Sequence, residues 1–196
     1  MITVNNALMH WNYFLSTESD VLNLSKYVDF SPSNFDCYSI EITRILFASA
    51  SEADVIAKAI CKIAEPESSA DNIIKYQDVI TRHFRTIESF KVTMPRFGLE
   101  FVPWSNWSRP QTTPDWWTAY NKVKHHRDQH FAMGTLKNCL NSVAGLFSLM
   151  FLFYKNQAED GELSPLPQLF DLPETYHSGI AIPEGKIRIF YDLSTI

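Results

Sequence analysis

Glycine is scarce in this chain, with 6 residues among 196. No glycine-rich loop is available to wrap backbone amides around a phosphate, and neither a dinucleotide fingerprint nor a nucleophile elbow occurs. No cofactor is therefore expected. Cysteine is thinner still: Cys37, Cys61 and Cys139 are odd in number and far apart. That excludes a disulfide framework and a Cys-x-x-Cys pair, and the three read as small core residues of a helical protein in a reducing compartment. Positive charge is in deficit, 17 Lys and Arg against 22 Asp and Glu for a net charge of −5. Broad, sequence-independent binding to DNA is not expected of such a surface. The most apolar stretch, Val143 to Tyr154, falls short of the ~20 residues a bilayer span needs and reads as a buried helix. Met1 to His10 lacks the basic-then-apolar order of a secretory signal. The expected setting is the cytoplasm, without membrane contact.

What the chain does have is apolar mass, 45% of its residues, enough for a sizeable core. Helical periodicity dominates residues 1–157. A first helix is expected from His10 to about Tyr27, a second from about Tyr38 to Ala64, and a third from Asp71 to about Phe84. The second carries Ile42, Ile45, Ile56, Ala59, Ile60 and Ile63 at helical spacing. Glu41 and Glu52 fall within about 40° of Ile45 on a helical wheel. A carboxylate on an apolar face is costly unless paired, so Glu52 predicts a buried partner. Phe90 to Met94 and Leu99 to Val102 alternate around Pro95-Arg-Phe-Gly98 as a short hairpin would. From residue 158 to 196, repeated Pro and Gly break the chain into short segments, and Ile187 to Tyr191 alternates like a strand. This is expected to be a small β-rich appendage packed on the bundle.

The densest chemistry lies between Thr113 and His130. Thr113 can cap a helix, Pro114 suits its first position, and Asp115 complements the dipole. If the helix continues, Trp117, Tyr120, Asn121, Lys124 and Asp128 share one side with His125 at its margin. Lys122, Lys124 and Arg127, with His125, His126 and His130 nearby, concentrate positive potential in an otherwise acidic chain, which suits a phosphate or an anionic strand. Three readings follow. One is metal-independent RNA cleavage, with His125 as acid or base, Lys124 or Arg127 steadying the developing charge, and Asn121 as orienter. The second is a metal held by His126 and His130, four residues apart but without a third ligand; no metal is assigned. The third is structural, with Trp116, Trp117 and Tyr120 in the core and the cations at the surface. Trp104, Trp107 and Trp116 are expected to be core rather than a stacking surface for bases.

Tyr38-Ser-Ile-Glu-Ile-Thr-Arg-Ile-Leu-Phe47, Ser51-Glu-Ala-Asp-Val-Ile-Ala-Lys58 and Trp116-Trp-Thr-Ala-Tyr-Asn-Lys-Val-Lys-His-His-Arg127 together resemble helical proteins of the HEPN (higher eukaryotes and prokaryotes nucleotide-binding) type. The resemblance spans roughly Trp11 to Tyr154. It implies a mainly α, HEPN-like bundle of four to five helices with a short hairpin insertion, often a homodimer. It also implies an intracellular role in bacterial toxin–antitoxin or phage-defence systems. Active members are metal-independent endoribonucleases; others bind RNA or partner proteins without catalysis. The active pattern is an arginine followed directly by a polar residue and, a few residues on, by a histidine. Here His125 matches the histidine and Asn121 the polar residue, while Tyr120 stands where the arginine is expected. What carries over is a catalytic set of His125, Asn121, Lys124 and a bracing Glu52, with Arg127, Lys122, Tyr120 and His126 as substrate contacts. Glu52 is expected to face Asn121, Lys124 or His125. Without the guanidinium, two outcomes stay open: an endoribonuclease that uses Lys124 or Arg127 instead, and an inactive interaction module whose polar helix is a buried structural network.

Overall fold

The segment Leu136–Phe153 folds as one helix in which fourteen of eighteen residues are buried, so it has no side to give to water. The rest of the chain wraps this helix. In the computed structural model, residues 8–195 are described; residues 1–7, where most of the stretch read for a secretory signal falls, and residue 196 lie outside them. Among the described residues the helices are α1 Met9–Leu24, α2 Ile40–Ala64, α3 Ile73–His83, α4 Asp115–His125, α5 Arg127–His130, α6 Leu136–Phe153 and α7 Lys155–Glu159. Two antiparallel pairs, β1 Val92–Met94 with β2 Leu99–Phe101 and β3 His177–Ala181 with β4 Arg188–Tyr191, complete a mainly α architecture. By length and apolar composition α6 could cross a membrane, but most of it is buried against the protein's own helices.

Helix α6 packs against α2 over much of its length and touches α1, α4, α7 and β1 as well. Small polar groups on it need internal partners, and they have them. Ser49 Oγ on α2 donates to Ser142 Oγ at 2.8 Å, and Trp104 Nε1 donates to Ser148 Oγ at 2.8 Å. Gly145 lets α4 come close: a Cβ there would stand 2.9 Å from Trp116 Cζ2. The aromatic rings of Trp11, Phe14, Phe147, Phe151 and Phe170 interlock on another side at centroid separations of 4.9 to 6.3 Å.

Helix starts follow their caps. Ser39, Asn72 and Thr135 accept from the amides of Ile42, Lys75 and Asn138, opening α2, α3 and α6. Helix α2 ends before Pro66, whose ring disfavours helical geometry at Glu65. It starts two residues later than expected because Tyr38 forms an isolated bridge with Thr135. Helix α1 stops at Leu24, short of Tyr27. Cys61 and Cys139 are buried, as expected, whereas Cys37 is half-buried and precedes α2. Two residues placed on the apolar face of α2 face water. Glu41 is exposed and held by Arg44, which keeps its carboxyl below the usual range, and Ile63 is 68% exposed. Periodicity fixes the angle of a side chain around its helix, but not how far the covering layer extends.

The first hairpin turns through Pro95–Phe97 and Gly98, whose φ of 60° favours glycine. Its outer strand continues into the tail, since Thr93 bridges Asp171. Leu163, Leu169, Phe170, Leu172, Tyr191 and Leu193 are all buried in the same core as the helices. The tail is therefore fastened rather than laid on. Its chief fastener is Glu18 on α1, 3% exposed, whose carboxylate accepts the amides of Gln168, Leu169 and Phe170 at 2.9, 2.8 and 3.0 Å.

Removing Glu18 strands the buried amides of Leu169 and Phe170 and the part-buried amide of Gln168. Glu18→Ala is expected to cost about 3 kcal/mol, lowering the melting temperature by roughly 6–12 °C, while Glu18→Gln, which keeps an acceptor, loses less. A thermal melt of the alanine variant within a degree of wild type would show that the tail does not depend on this carboxylate.

Candidate functional site

Helix α4 begins at Asp115, with Pro114 just outside it, and Thr113 Oγ1 pairs with Thr118 Oγ1 instead of capping a backbone amide. Its inner face, Trp116, Trp117, Ala119, Tyr120 and Val123, is buried. Trp116 Nε1 donates to Pro103 O at 2.9 Å, and Trp104 lies 4.3 Å from Trp107 between ring centroids. Trp104, Trp107 and Trp116 are core, as expected, and offer no stacking surface.

The helix does not continue to Asp128. His126 leaves helical geometry at φ −140° and ψ 54°, and α5 starts in a new direction. The single stripe from Trp117 to Asp128 is thus broken at its C-terminal end. The turn after α5 presses on α2: a Cβ at Gly134 would collide with Thr43 Oγ1, so only glycine permits this approach. That contact holds Arg127 and Phe131 beside Phe47, Thr43 and Ile40 of α2.

The residues singled out in the sequence divide into three places. Tyr120 is buried, packed edge-on to Phe47 at 5.4 Å and to Trp117 at 6.0 Å. Lys124 Nζ donates to Tyr120 Oη at 3.2 Å and lies 5.2 Å from its ring centre, while the Arg127 guanidinium lies 5.3 Å from the Phe47 ring centre. Lys122, His125 and His126 are exposed and Asn121 is half-buried. The His126 and His130 rings are 6.3 Å apart, and no group of three or more metal-ligating side chains occurs among the described residues.

Glu52 corrects the expectation most sharply. It faces none of Asn121, Lys124 and His125. Its Oε1 lies 2.6 Å from His10 Nδ1 at the start of α1, with the two side chains 12% and 17% exposed. Tyr154 Oη accepts from the His10 amide at 3.3 Å, and the Phe153 ring meets the His10 imidazole edge-on at 5.4 Å. Burial, and after it the charge of Glu52, pushes the Tyr13 hydroxyl above its ordinary range. Glu52 does have a partner, but it is half-buried rather than buried and comes from α1. The buried polar network that would have joined Glu52 to α4 is absent, because Lys124 and His125 are exposed.

Two physical effects compete to explain the cations of the corner. Lys122, Lys124 and His125 occupy the last turn of α4, where the dipole favours positive charge by about 0.3–1 kcal/mol each. Arg127 lies beyond α4, in the single turn of α5, so the dipole of α4 does not account for its position. None of Lys122, Lys124 and Arg127 forms a salt bridge among the described residues, whereas Arg44 is held by Asp20 at 3.1 Å and Glu41 at 2.6 Å. Beside this corner runs a groove of about 740 Å³, lined by Ile40, Thr43, Arg44, Phe47, Arg127, Asp128 and Phe131. Sequence reasoning missed Ile40, Arg44, Phe47 and Phe131, and also His10. The only signal for Ile40, Arg44 and Phe47 was an apolar and basic spacing on the outer face of α2, and nothing in the spacing pointed to Phe131.

This arrangement can attract an anion and shelter an apolar group. It does not position an imidazole for proton transfer. The histidines with carboxylate partners are His10, His83 and His177, and among the described residues His125 and His126 have none. No protein-family model, no curated protein and no solved structure matches this chain. The chemistry of the corner is read from its own residues.

The revised pairing is measurable. In a double-mutant cycle on stability, His10→Ala and Glu52→Ala are expected to couple by about 1 kcal/mol, whereas Lys124→Ala and Glu52→Ala add within ~0.5 kcal/mol. Coupling of Glu52 to Lys124 in place of His10 would reinstate the network at α4.

Proposed function

We propose that the protein binds RNA through the α4–α5 corner. The observation that carries this reading is the set of exposed cations without ion-pair partners among the described residues, Lys122, Lys124 and Arg127, the last two lying over Tyr120 and Phe47, in a protein of net charge −5. Such cations gain most by replacing condensed counterions on a phosphate chain. RNA as the ligand class, a HEPN-like ancestry, and an intracellular place in bacterial toxin–antitoxin or phage defence belong to the same proposal and come from the resemblance of the three sequence stretches. Binding is preferred to cleavage here because His125, although exposed and free to reach a ligand, has no hydrogen-bond partner among the described residues to orient it.

The reading is tested by fluorescence anisotropy with a labelled single-stranded RNA in EDTA. Binding is expected to weaken steeply between 50 and 200 mM salt, and Lys124→Ala combined with Arg127→Ala to weaken it by about tenfold or more with a log-log salt slope smaller by about two. Absence of binding at the lower salt, or a double variant that binds like wild type, would overturn it. Discrete RNA products from wild type that vanish with His125→Ala would raise the corner from a binding site to a catalytic one.

A further inference from the structure

Histidine occurs in two situations in this protein. His10, His83 and His177 each stand against a carboxylate, at 2.6 Å from Glu52, 3.0 Å from Glu65 and 3.3 Å from Asp171. A proton taken up by one of these is met by an opposite charge. The other three of the six histidines, His125, His126 and His130, lie close together in sequence, and none has a carboxylate within salt-bridge reach among the described residues. His125 and His126 are exposed and His130 is half-buried. The charged side chains around this turn are Lys122 and Lys124 on α4, Arg127 and Asp128 within α5, and Arg44 across the groove on α2, which Glu41 and Asp20 already hold. Asp128 is the one acid between Tyr120 and Thr135. A proton added here therefore strengthens a positive potential instead of cancelling a negative one.

Two of the three can act on one group. His126, where α4 breaks, and His130, at the end of α5, hold their rings 6.3 Å apart, with Arg127 directly after His126. One phosphodiester group can bridge that separation, accepting a charge-assisted hydrogen bond of about 2.7–2.9 Å from each protonated ring. Histidine is the side chain that ordinarily changes charge between pH 5 and 8. An anion beside an imidazole favours its charged form, so RNA seated on this turn takes up protons. Linkage is reciprocal: if RNA draws protons in, protons draw RNA in. We infer that His126 and His130 form a proton-linked phosphate site, through which mild acid tightens the hold of the corner on RNA. The inference rests on the RNA-binding reading above and adds which side chains take the phosphate and what regulates them.

The experiment follows the anisotropy of a labelled oligouridine bound to the full chain, in EDTA and at constant ionic strength. The oligouridine carries no terminal phosphate, whose own proton would titrate in the same range. The pH runs from about 8 to about 6, a window in which histidine titrates while carboxylates stay ionised. Wild type is expected to bind about tenfold more tightly at the lower pH, with a log-log salt slope steeper by about one to two. His126→Gln combined with His130→Gln should remove most of that rise. His126→Lys combined with His130→Lys, which fixes the charge, should bind at the higher pH about as tightly as wild type does at the lower. His83→Gln, at an imidazole held by Glu65, should leave the rise in place. Calorimetry at neutral pH in two buffers of different ionisation enthalpy should show proton uptake on binding by wild type and little by the glutamine variant. Affinity that ignores pH, a rise that survives in the glutamine variant, or a lysine variant no tighter than wild type at the higher pH would overturn the proton-linked site and leave the RNA reading standing. Absence of binding at both ends of the window would overturn both.

Discussion

Everything in this fold answers to the burial of α6. A helix that is apolar on all sides must be covered on all sides, and one layer of neighbours cannot do that with a single element. Helix α2 takes the longest contact, α4 and α1 take others, and α7 with the Pro-punctuated tail closes the remainder. The few polar groups that α6 carries are then committed to internal partners, because an unsatisfied hydroxyl or indole N–H in such a place costs about 1–3 kcal/mol. Ser142 and Ser148 therefore act as register marks, fixing where Ser49 and Trp104 meet the central helix.

The same demand sets the position of the candidate site. Helix α4 can lie close to α6 only because Gly145 leaves room for Trp116, and the chain can return over α2 only because Gly134 leaves room for Thr43. Once both approaches are made, the cations that follow Tyr120 are carried to the surface at the edge of α2. Arg127 arrives over Phe47, and Lys124 over Tyr120. A cluster of exposed cations and an apolar groove thus share one wall as a consequence of packing. The tail is tied in through Glu18, whose carboxylate accepts three backbone amides instead of pairing with a cation.

The large pattern could be read directly. Helix existence follows from 3.6-residue periodicity, and the hairpin from alternation around Pro95 to Gly98. The tryptophans could be assigned to the core because a helical protein of this composition has no better place for them. The errors share one cause. A helical wheel gives the angle at which Glu52, Glu41 or Ile63 leaves α2, and it says nothing about what stands there. Glu52 meets His10 because α1 occupies that angle, while α4 meets α2 at Phe47.

The sequence by itself determined which segments are helical, where most of them start, that α6 would be the buried one, and that Lys122, Lys124 and Arg127 would lie close together. These are properties of neighbours along the chain, set by propensity, capping and local spacing. Only the tertiary structure decided that α4 would break at His126, that Glu52 would serve α1, that the tail would enter the core, and that an apolar groove would form beside the cations. Each of those depends on which surfaces are left uncovered after α6 is buried, and that quantity belongs to the packed molecule as a whole.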